Sequence, residues 1–233
     1  MPFSGLDERV AAAQSRIAEA KARGGHGQEV RLIAVTKMHG PEAVQAAVRA
    51  GITDVGENKV QEAIDKQDAG SRTAVGAVDV RWHLIGQLQR NKVKHLDRFF
   101  LLHAMDRAAL ADAVHEFGVN RGRPVDVLVQ VNVVGEATKG GYAPSSWRAE
   151  AARLTALAGI RVTGVMTMAP FDADEATLRR VFQGARSARE VFAEAGHRAT
   201  ELSMGMSGDF EIAVEEGATM VRLGTVLFGA RGS

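Results

Sequence analysis

The sequence predicts an α/β fold, a single closed (β/α)8 barrel with an extra helix at its N-terminus. Three observations indicate this fold: eight short runs rich in Val, Ile and Leu recur along the chain, a helix-like segment follows each run, and 233 residues suit one such barrel. Strands that alternate with helices pair in parallel, because each helix returns the chain to the same end of the sheet. An open, doubly wound sheet is the competing architecture, but the first strand lacks the glycine-rich phosphate turn typical of that fold.

The predicted elements follow in a regular order. Residues 6–23 carry apolar side chains at helical spacing and stop at a Gly-Gly pair, which predicts the extra helix outside the barrel. The predicted strands are residues 31–36, 53–56, 82–86, 99–105, 125–133, 161–168, 199–205 and 219–224. The predicted helices after them are residues 41–50, 60–67, 91–96, 107–117, 145–158, 174–195 and 209–216. No linker rich in Pro, Gly or Ser divides the chain, so we expect one domain over residues 1–233.

Composition excludes several classes of function. Lys and Arg total 29 against 28 Asp and Glu, a net charge of +1, which gives no reason to expect nucleic acid or an anionic membrane as partner. There is no cysteine, so a disulfide framework, a thiolate metal site and a cysteine nucleophile are excluded. Metal-binding and nucleotide-binding motifs are also missing, and no long apolar stretch is present. We expect a soluble, cytoplasmic protein with no metal.

A barrel places its functional groups where the strands end, and one lysine lies at such a position. Of the seven lysines, only Lys37 closes an apolar strand, in LIAVTK. An amine that is partly desolvated at a barrel mouth can attack a carbonyl carbon. A lysine that simply extends to water at a strand end is the alternative, and position alone leaves both interpretations open.

Two loops near the C-terminus have the composition of a phosphate site. The seventh strand ends at Ser203 in a loop that also contains Gly205, Met206 and Ser207, and Ser207 is a candidate N-cap for a helix that begins near residue 209. Gly224 and Thr225 lie at the end of the eighth strand, where the next loop begins. Barrels of this kind often bind phosphate with these two loops, although each loop alone also fits an ordinary turn.

Three further polar residues lie on or beside predicted strands. Arg222 lies within the eighth strand, so its permanent charge needs a carboxylate or a ligand acceptor. Asn58 and His83 lie near other strand ends, where they are available to orient a ligand, although His83 also fits a hydrogen-bonded core histidine. A lysine, a phosphate site and an arginine together favour an aldehyde cofactor with a phosphate, and pyridoxal 5′-phosphate (PLP) fits this description.

The ordered motifs LIAVTK, GENKVQEA, WHLIGQLQRNK, GVMTMAP, ELSMGMSGDFEIAVEEG and MVRLGTVLFGAR resemble those of the YggS/PROSC family of pyridoxal phosphate homeostasis proteins. This family is similar to the barrel domain of alanine racemase (fold type III) standing alone. The resemblance extends from about residue 6 to residue 231, nearly the whole chain. It implies a monomeric PLP-binding protein that serves cofactor supply and amino-acid balance, with PLP-dependent client enzymes as candidate partners.

The resemblance also implies the roles of individual residues. Lys37 corresponds to the lysine that forms the covalent aldimine, and Asn58 to the asparagine beside the cofactor ring. The remaining matched positions surround the phosphate, except for the arginine of the eighth strand. They are Ser203, Gly205, Met206, Ser207, Gly224 and Thr225, with Arg222 as that arginine. No catalytic residue is carried over, because the family as a class has no established turnover.

Three functions from different classes remain to be compared. The leading hypothesis is a carrier that buffers PLP through a reversible Schiff base at Lys37. The enzyme alternative is a PLP-dependent amino-acid racemase, which needs a second base. Tyr142 is the one tyrosine of the chain, and it lies in a glycine-flanked loop. The third hypothesis is a barrel that binds a phosphorylated metabolite without PLP, with Lys37 acting only through its charge.

Overall fold

Eight parallel strands close into a barrel in sequence order in the computed structural model, which describes residues 3–70, 79–135 and 140–229. The strands are β1 (Arg31–Val35), β2 (Asp54–Glu57), β3 (Arg81–Leu84), β4 (Leu101–Met105), β5 (Val125–Gln130), β6 (Ile160–Met166), β7 (Glu201–Ser203) and β8 (Met220–Leu223). β1 pairs with both β2 and β8, which closes the ring. The predicted (β/α)8 barrel is therefore confirmed.

Helices follow the strands on the outside of the barrel. They are α1 (Leu6–Gly24), α2 (Pro41–Arg49), α3 (Val60–Gly70), α4 (Ala108–Asn120), α5 (Trp147–Leu154), α6 (Glu175–Glu194), α7 (Phe210–Glu215) and α8 (Thr225–Phe228). Two segments are 3-10 helices, Arg90–Arg98 after β3 and Pro144–Ser146 before α5. Within the described residues no helix is both long and apolar enough to cross a membrane.

Several predicted elements differ in their bounds from those observed, and two of them differ in other ways as well. The segment predicted as a helix over residues 91–96 is a 3-10 helix whose buried apolar residues are Val93 and Leu96, so it presents only a narrow apolar face. The predicted strand 125–133 is shorter than expected and ends at residue 130. The next residue, Val131, instead forms an isolated bridge with Tyr142.

Apolar side chains fill two layers. A small cluster consists of Ile33, Leu101, Ala104, Leu128, Met166 and Met220, all on strands. The larger core contains residues of both strands and helices. Burial of these side chains is the main driving force for closing the barrel.

The extra helix α1 packs against the helices that follow β7 and β8. Its buried stripe is Leu6, Val10, Ala13, Ile17 and Ala20, which matches the predicted helical spacing. At its C-terminal end a Cβ on Gly24 would lie 2.5 Å from the backbone oxygen of Glu215 in α7, so the two backbones are in close contact. Arg23 Nε donates to Glu215 Oε1 at 2.6 Å, and Arg9 Nε donates to the backbone oxygen of Leu227 in α8 at 2.5 Å. α1 therefore supports the helices behind the two predicted phosphate loops.

Candidate functional site

Lys37 lies where β1 ends, at the C-terminal face of the barrel, as the sequence predicts. It is half-buried, and its amine has no hydrogen-bond or ion-pair partner within the described part of the chain. The segment around it is held by its backbone: Thr36 N–H donates to the oxygen of Gly56 at 3.2 Å, and Met38 N–H donates to Glu62 Oε1. Lys37 thus combines a fixed backbone with an uncommitted amine.

A buried ion pair lies directly behind this segment. Lys66 Nζ on α3 donates to Glu57 Oε1 at 2.6 Å and to the backbone oxygen of Thr36 at 2.7 Å. It also donates to Glu62 Oε1 at 2.9 Å, so its three hydrogens are all used. Burial raises the pKa of Glu57, while hydrogen bonds from Lys66 and Thr36 oppose that rise. Lys66 is therefore buried and fully bonded, whereas the amine of Lys37 is free.

The two predicted phosphate loops lie side by side. Val226 N–H, after β8, donates to Ser207 Oγ, after β7, at 3.3 Å. The N-cap of α7 is Asp209, so the expectation that Ser207 caps this helix is wrong: its hydroxyl binds the neighbouring loop instead. Asp209 Oδ1 accepts the N–H of Met206 at 2.6 Å, and burial raises the pKa of Asp209 against the opposing charge of Arg222.

Several backbone donors of these loops are unused. The N–H groups of Ser207, Gly208, Gly224 and Thr225 have no acceptor among the described residues. The atoms nearest to a Cβ on Gly224 would be those of Val35, at an ordinary 3.6 Å, and a Cβ on Gly208 would touch nothing within 4 Å. Space is therefore open beside Gly208, and Gly224 is not crowded. A cluster of free N–H groups with open space beside it fits the phosphate of PLP or of a similar ligand.

Gly205 is required by the local backbone. Its φ is +92°, a conformation that side chains rarely adopt, and a Cβ there would lie 2.7 Å from Ala213 Cβ and 2.9 Å from Phe210 Cα. Its backbone oxygen accepts the N–H of Arg222 at 2.9 Å. Glycine at this position therefore allows the loop to turn back over α7.

Arg222 is buried, at 5% exposure, and has no carboxylate within ion-pair distance among the described residues. Its Nη1 donates to Ser203 Oγ at 2.6 Å and its Nη2 to the backbone oxygen of Thr167 at 3.0 Å. A guanidinium has five N–H donors, so three are left for a ligand. Burial lowers the pKa of Arg222 to about 10, which still leaves it charged at neutral pH.

His83 and Ser203 are buried inside the barrel, and both side chains bind other side chains. His83 Nε2 lies 2.9 Å from Asp54 Oδ1, and its Nδ1 lies 2.8 Å from His103 Nε2. Ser203 Oγ lies 2.9 Å from His103 Nδ1 and accepts from Arg222. The polar atoms of His83 and Ser203 are thus already bonded to other side chains, and His83 has the contacts of the hydrogen-bonded core histidine that the sequence also allows.

Asn58 follows β2, next to the segment of Lys37. It is half-buried, and its side-chain amide has no hydrogen-bond partner in the described residues. Its backbone packs on Gly86, where a Cβ would lie 2.3 Å from the Asn58 oxygen. Its amide is thus available to a ligand, as predicted. Met206, also predicted to contact the ligand, is 38% exposed on its loop.

The sequence interpretation missed Asp54, His103 and Glu57. The signal for His103 was present: a histidine in the otherwise apolar strand FFLLHAM needs a polar partner when it is buried. Asp54 and Glu57 both lie in β2 and are buried, at 4% and 0% exposure. No cluster of His, Asp and Glu with the arrangement of a metal site occurs among the described residues.

The fold and the site together define a class: a (β/α)8 barrel with a free lysine at the end of β1, two adjacent loops with unused N–H groups after β7 and β8, and a buried arginine on β8. The chain belongs to the family described as alanine racemase, N-terminal domain, which it matches over residues 9–232. Within that family it groups with the pyridoxal phosphate homeostasis proteins, as the sequence motifs predicted.

Curated and solved relatives agree with this placement. The chain is 39% identical over 227 residues to the pyridoxal phosphate homeostasis protein of Aquifex aeolicus, covering 96% of this chain and 97% of that one. The structure of PipY from Synechococcus elongatus with PLP bound is 37% identical, with a TM-score of 0.84, and covers 96% of this chain and 100% of that one. An alanine racemase from Corynebacterium glutamicum shares the fold at 20% identity, with a TM-score of 0.70, and the match covers 93% of this chain and 61% of the racemase.

Proposed function

We propose that this protein binds PLP through a reversible Schiff base on Lys37 and buffers the cofactor within PLP and amino-acid homeostasis. The observation that carries the proposal is the half-buried amine of Lys37, which has no partner among the described residues. The relatives named above as pyridoxal phosphate homeostasis proteins, and PipY with its bound PLP, support the choice of ligand.

The bond to the cofactor balances without any further reagent. The lone pair of Lys37 Nζ attacks the aldehyde carbon of PLP, the carbonyl oxygen leaves as one molecule of water, and a C=N bond replaces the C=O bond. Water or an incoming amine reverses the reaction and frees Lys37. The reversibility of this bond is what a carrier needs.

The chain's other polar groups bind and orient the cofactor. The free N–H groups of Ser207, Gly208, Gly224 and Thr225 would hold the phosphate, and the free amide of Asn58 would lie beside the ring. Arg222, which keeps three N–H groups beyond its bonds to Ser203 and Thr167, would donate to the ring nitrogen. A charged guanidinium only donates, so it leaves that nitrogen unprotonated and weakens the electron-withdrawing power that PLP supplies when bound.

The racemase alternative is less well supported by these contacts. Racemisation needs a base on each side of the substrate carbon, and Lys37 provides one. Tyr142 was the candidate for the other, but its hydroxyl donates to Glu150 Oε1 on α5 at 2.9 Å. Burial, together with this bond, raises the pKa of Tyr142, which opposes formation of the phenolate base.

Spectroscopy with borohydride trapping tests the Schiff base. We expect the purified protein mixed with PLP to show the visible absorbance of a protonated imine, and borohydride followed by mass spectrometry to place the adduct on Lys37. Lys37→Ala removes the band. Lys59→Ala is the matched control, because Lys59 is exposed in the loop after β2. We expect this variant to keep the band. A band that persists in Lys37→Ala, or that wild type never shows, contradicts the proposal.

Turnover and transfer separate the carrier from the enzyme. We expect no D-amino acid when the PLP-loaded protein is incubated with L-alanine or other L-amino acids and analysed by chiral chromatography. We expect the same loaded protein to activate a PLP-dependent enzyme that has been stripped of its cofactor. Sustained racemisation that disappears in Lys37→Ala would instead establish the racemase. Failure to activate any stripped enzyme would contradict delivery.

A further inference from the structure

A continuous chain of hydrogen bonds crosses the barrel interior from β2 to β8. It joins Asp54 Oδ1 to His83 Nε2 at 2.9 Å, His83 Nδ1 to His103 Nε2 at 2.8 Å, and His103 Nδ1 to Ser203 Oγ at 2.9 Å. Arg222 Nη1 completes it by donating to Ser203 Oγ at 2.6 Å. All five side chains are buried, at 8% exposure or less. We call these five residues the interior chain.

The two ends of the interior chain determine the position of every hydrogen. Arg222 has no acceptor, so Ser203 accepts from it and uses its own hydrogen toward His103 Nδ1. Ionised Asp54 has no donor, so His83 carries its hydrogen on Nε2 and presents a bare Nδ1 to His103. His103 therefore carries its hydrogen on Nε2. All four bonds point the same way, from Arg222 toward Asp54.

This arrangement requires both histidines to be neutral. A second proton on either ring would place two donors face to face within the chain. Burial lowers the pKa of both rings, and for His103 the charge of Arg222 adds to that effect. The two rings are therefore neutral at physiological pH, as the bond directions demand.

Asp54 anchors the negative end. Arg81 holds it with two bonds, Nε to Oδ1 at 2.9 Å and Nη2 to Oδ2 at 2.5 Å. Burial alone would raise its pKa, but the bonds from His83 and Arg81 outweigh burial and lower the pKa to about 2. Arg222, at the positive end, lacks a carboxylate in contact, so the polarised bonds connect it to the charge of Asp54.

Apolar side chains fill the rest of the same interior. Ile33, Leu128, Met166 and Met220 form an apolar cluster on the strands, which shows that the barrel accommodates such residues. Buried polar groups cost stability unless every one is bonded. Filling this space with a complete chain of polar groups therefore costs more stability than filling it with apolar side chains. A polar chain that ends on Arg222 does, however, hold the guanidinium of that residue in place.

We infer that Asp54, His83 and His103 are positioning residues that fix the guanidinium of Arg222 as a rigid donor toward the bound ligand. This inference rests on the proposed function for its ligand, PLP, and on the contacts above for its geometry. The interior chain uses one N–H of Arg222 and determines where the remaining ones point.

The first test needs no ligand. Nitrogen-15 NMR of the histidine rings in the wild-type protein without PLP reports the tautomer and charge of each ring. We expect His83 and His103 to be neutral, with hydrogen on Nε2, at pH 7. Exchange of the Arg222 guanidinium hydrogens should be slow, and faster in Asp54→Asn. A charged ring, hydrogen on Nδ1, or Arg222 exchange that Asp54→Asn leaves unchanged overturns the inference.

The second test uses PLP labelled with nitrogen-15 in its ring. We expect Asp54→Asn and His103→Leu to move the ring-nitrogen resonance and to weaken PLP binding by about tenfold, the effect of one disturbed hydrogen bond to a charged group. Met220→Leu is the control, because it changes an apolar neighbour in the same interior, and it should match wild type. Resonances and affinities in both variants that equal those of the control overturn the inference.

The two tests separate this inference from the proposed function. If wild type binds no PLP, the proposed function fails, while the ligand-free tautomers and Arg222 exchange still decide the inference. If wild type binds PLP but the interior-chain variants behave like Met220→Leu, only the inference fails. If His103→Leu does not fold, Asp54→Asn, which keeps the size of the side chain and removes its charge, provides the result.

Discussion

Lys66 and Glu57 form a buried ion pair, 2.6 Å from Nζ to Oε1, directly behind the segment that carries Lys37. The side chains are 4% and 0% exposed, and the second oxygen of Glu57 has no hydrogen-bond partner in the described structure. Lys66 also binds the backbone oxygen of Thr36, the residue before Lys37. The pair therefore holds α3 against the end of β1, next to Lys37 with its free amine.

Removing the lysine of this pair should cost much more than removing a lysine at the surface. Lys66→Met leaves the buried Glu57 charge without its partner, so we expect the free energy of unfolding to fall by about 3–5 kcal/mol in urea titrations. Lys21→Met is the control: its ion pair with Glu29 is exposed, with side chains at 30% and 95%, and should contribute less than about 1 kcal/mol. Equal losses in the two variants would show that Glu57 and Lys66 are not a buried pair.

Asp54 should make stability depend on pH in the acidic range. Its folded-state pKa of about 2 lies below its ordinary value of 3.8, so its contribution is present above pH 4. That contribution, about 2 kcal/mol, is lost as pH falls from about 4 to 2. Asp54→Asn should remove this part of the slope, measured as urea midpoints across this range. Asp126→Asn, at the exposed pair with Arg161, should keep the wild-type slope. An unchanged slope in Asp54→Asn would contradict the assignment.

The sequence predicted the barrel because its strongest signal is local. Short apolar runs and amphipathic segments alternate along the chain, and only a few topologies convert that alternation into a buried parallel sheet. Lys37 and Arg222 were found from the same local signal. A charged side chain at the end of an apolar strand, or within one, needs a polar partner or a ligand, and this holds for any position of the strand in the fold.

The interior chain was not predicted, and the reason is physical. A strand that is buried on both faces has no polar alternation, so the run FFLLHAM does not reveal which way His103 points. His83 and Ser203 were assigned to the ligand because they lie near strand ends, but their orientation depends on partners 20 and 100 residues away. Contacts between residues so far apart in the sequence form only when the barrel closes. The local sequence pattern does not indicate which residues then meet.

Gly205 should tolerate no side chain, whereas Gly208 in the same loop should. Gly205→Ala forces a φ of +92° on alanine and a contact of 2.7 Å with Ala213 Cβ, so we expect a loss of stability of about 1–3 kcal/mol. Gly208→Ala meets nothing within 4 Å and should leave the unfolding free energy within about 0.5 kcal/mol of wild type. Thermal and urea unfolding measure both variants. A stable Gly205→Ala protein would contradict the backbone geometry of this loop.

Ligand-induced stabilisation should separate the contribution of the phosphate from that of the aldehyde. PLP at about 100 times its dissociation constant should stabilise the wild-type protein by about 2.7 kcal/mol, seen as a rise in Tm. Pyridoxal, which lacks the phosphate, leaves the N–H groups of Ser207, Gly208, Gly224 and Thr225 unused and should stabilise much less at the same concentration. Lys37→Ala should keep part of the PLP effect, because these donors remain. Equal stabilisation by pyridoxal and PLP would contradict the phosphate site. A PLP effect that Lys37→Ala leaves unchanged, matched by other phosphorylated metabolites, would favour a barrel that binds such metabolites without a Schiff base.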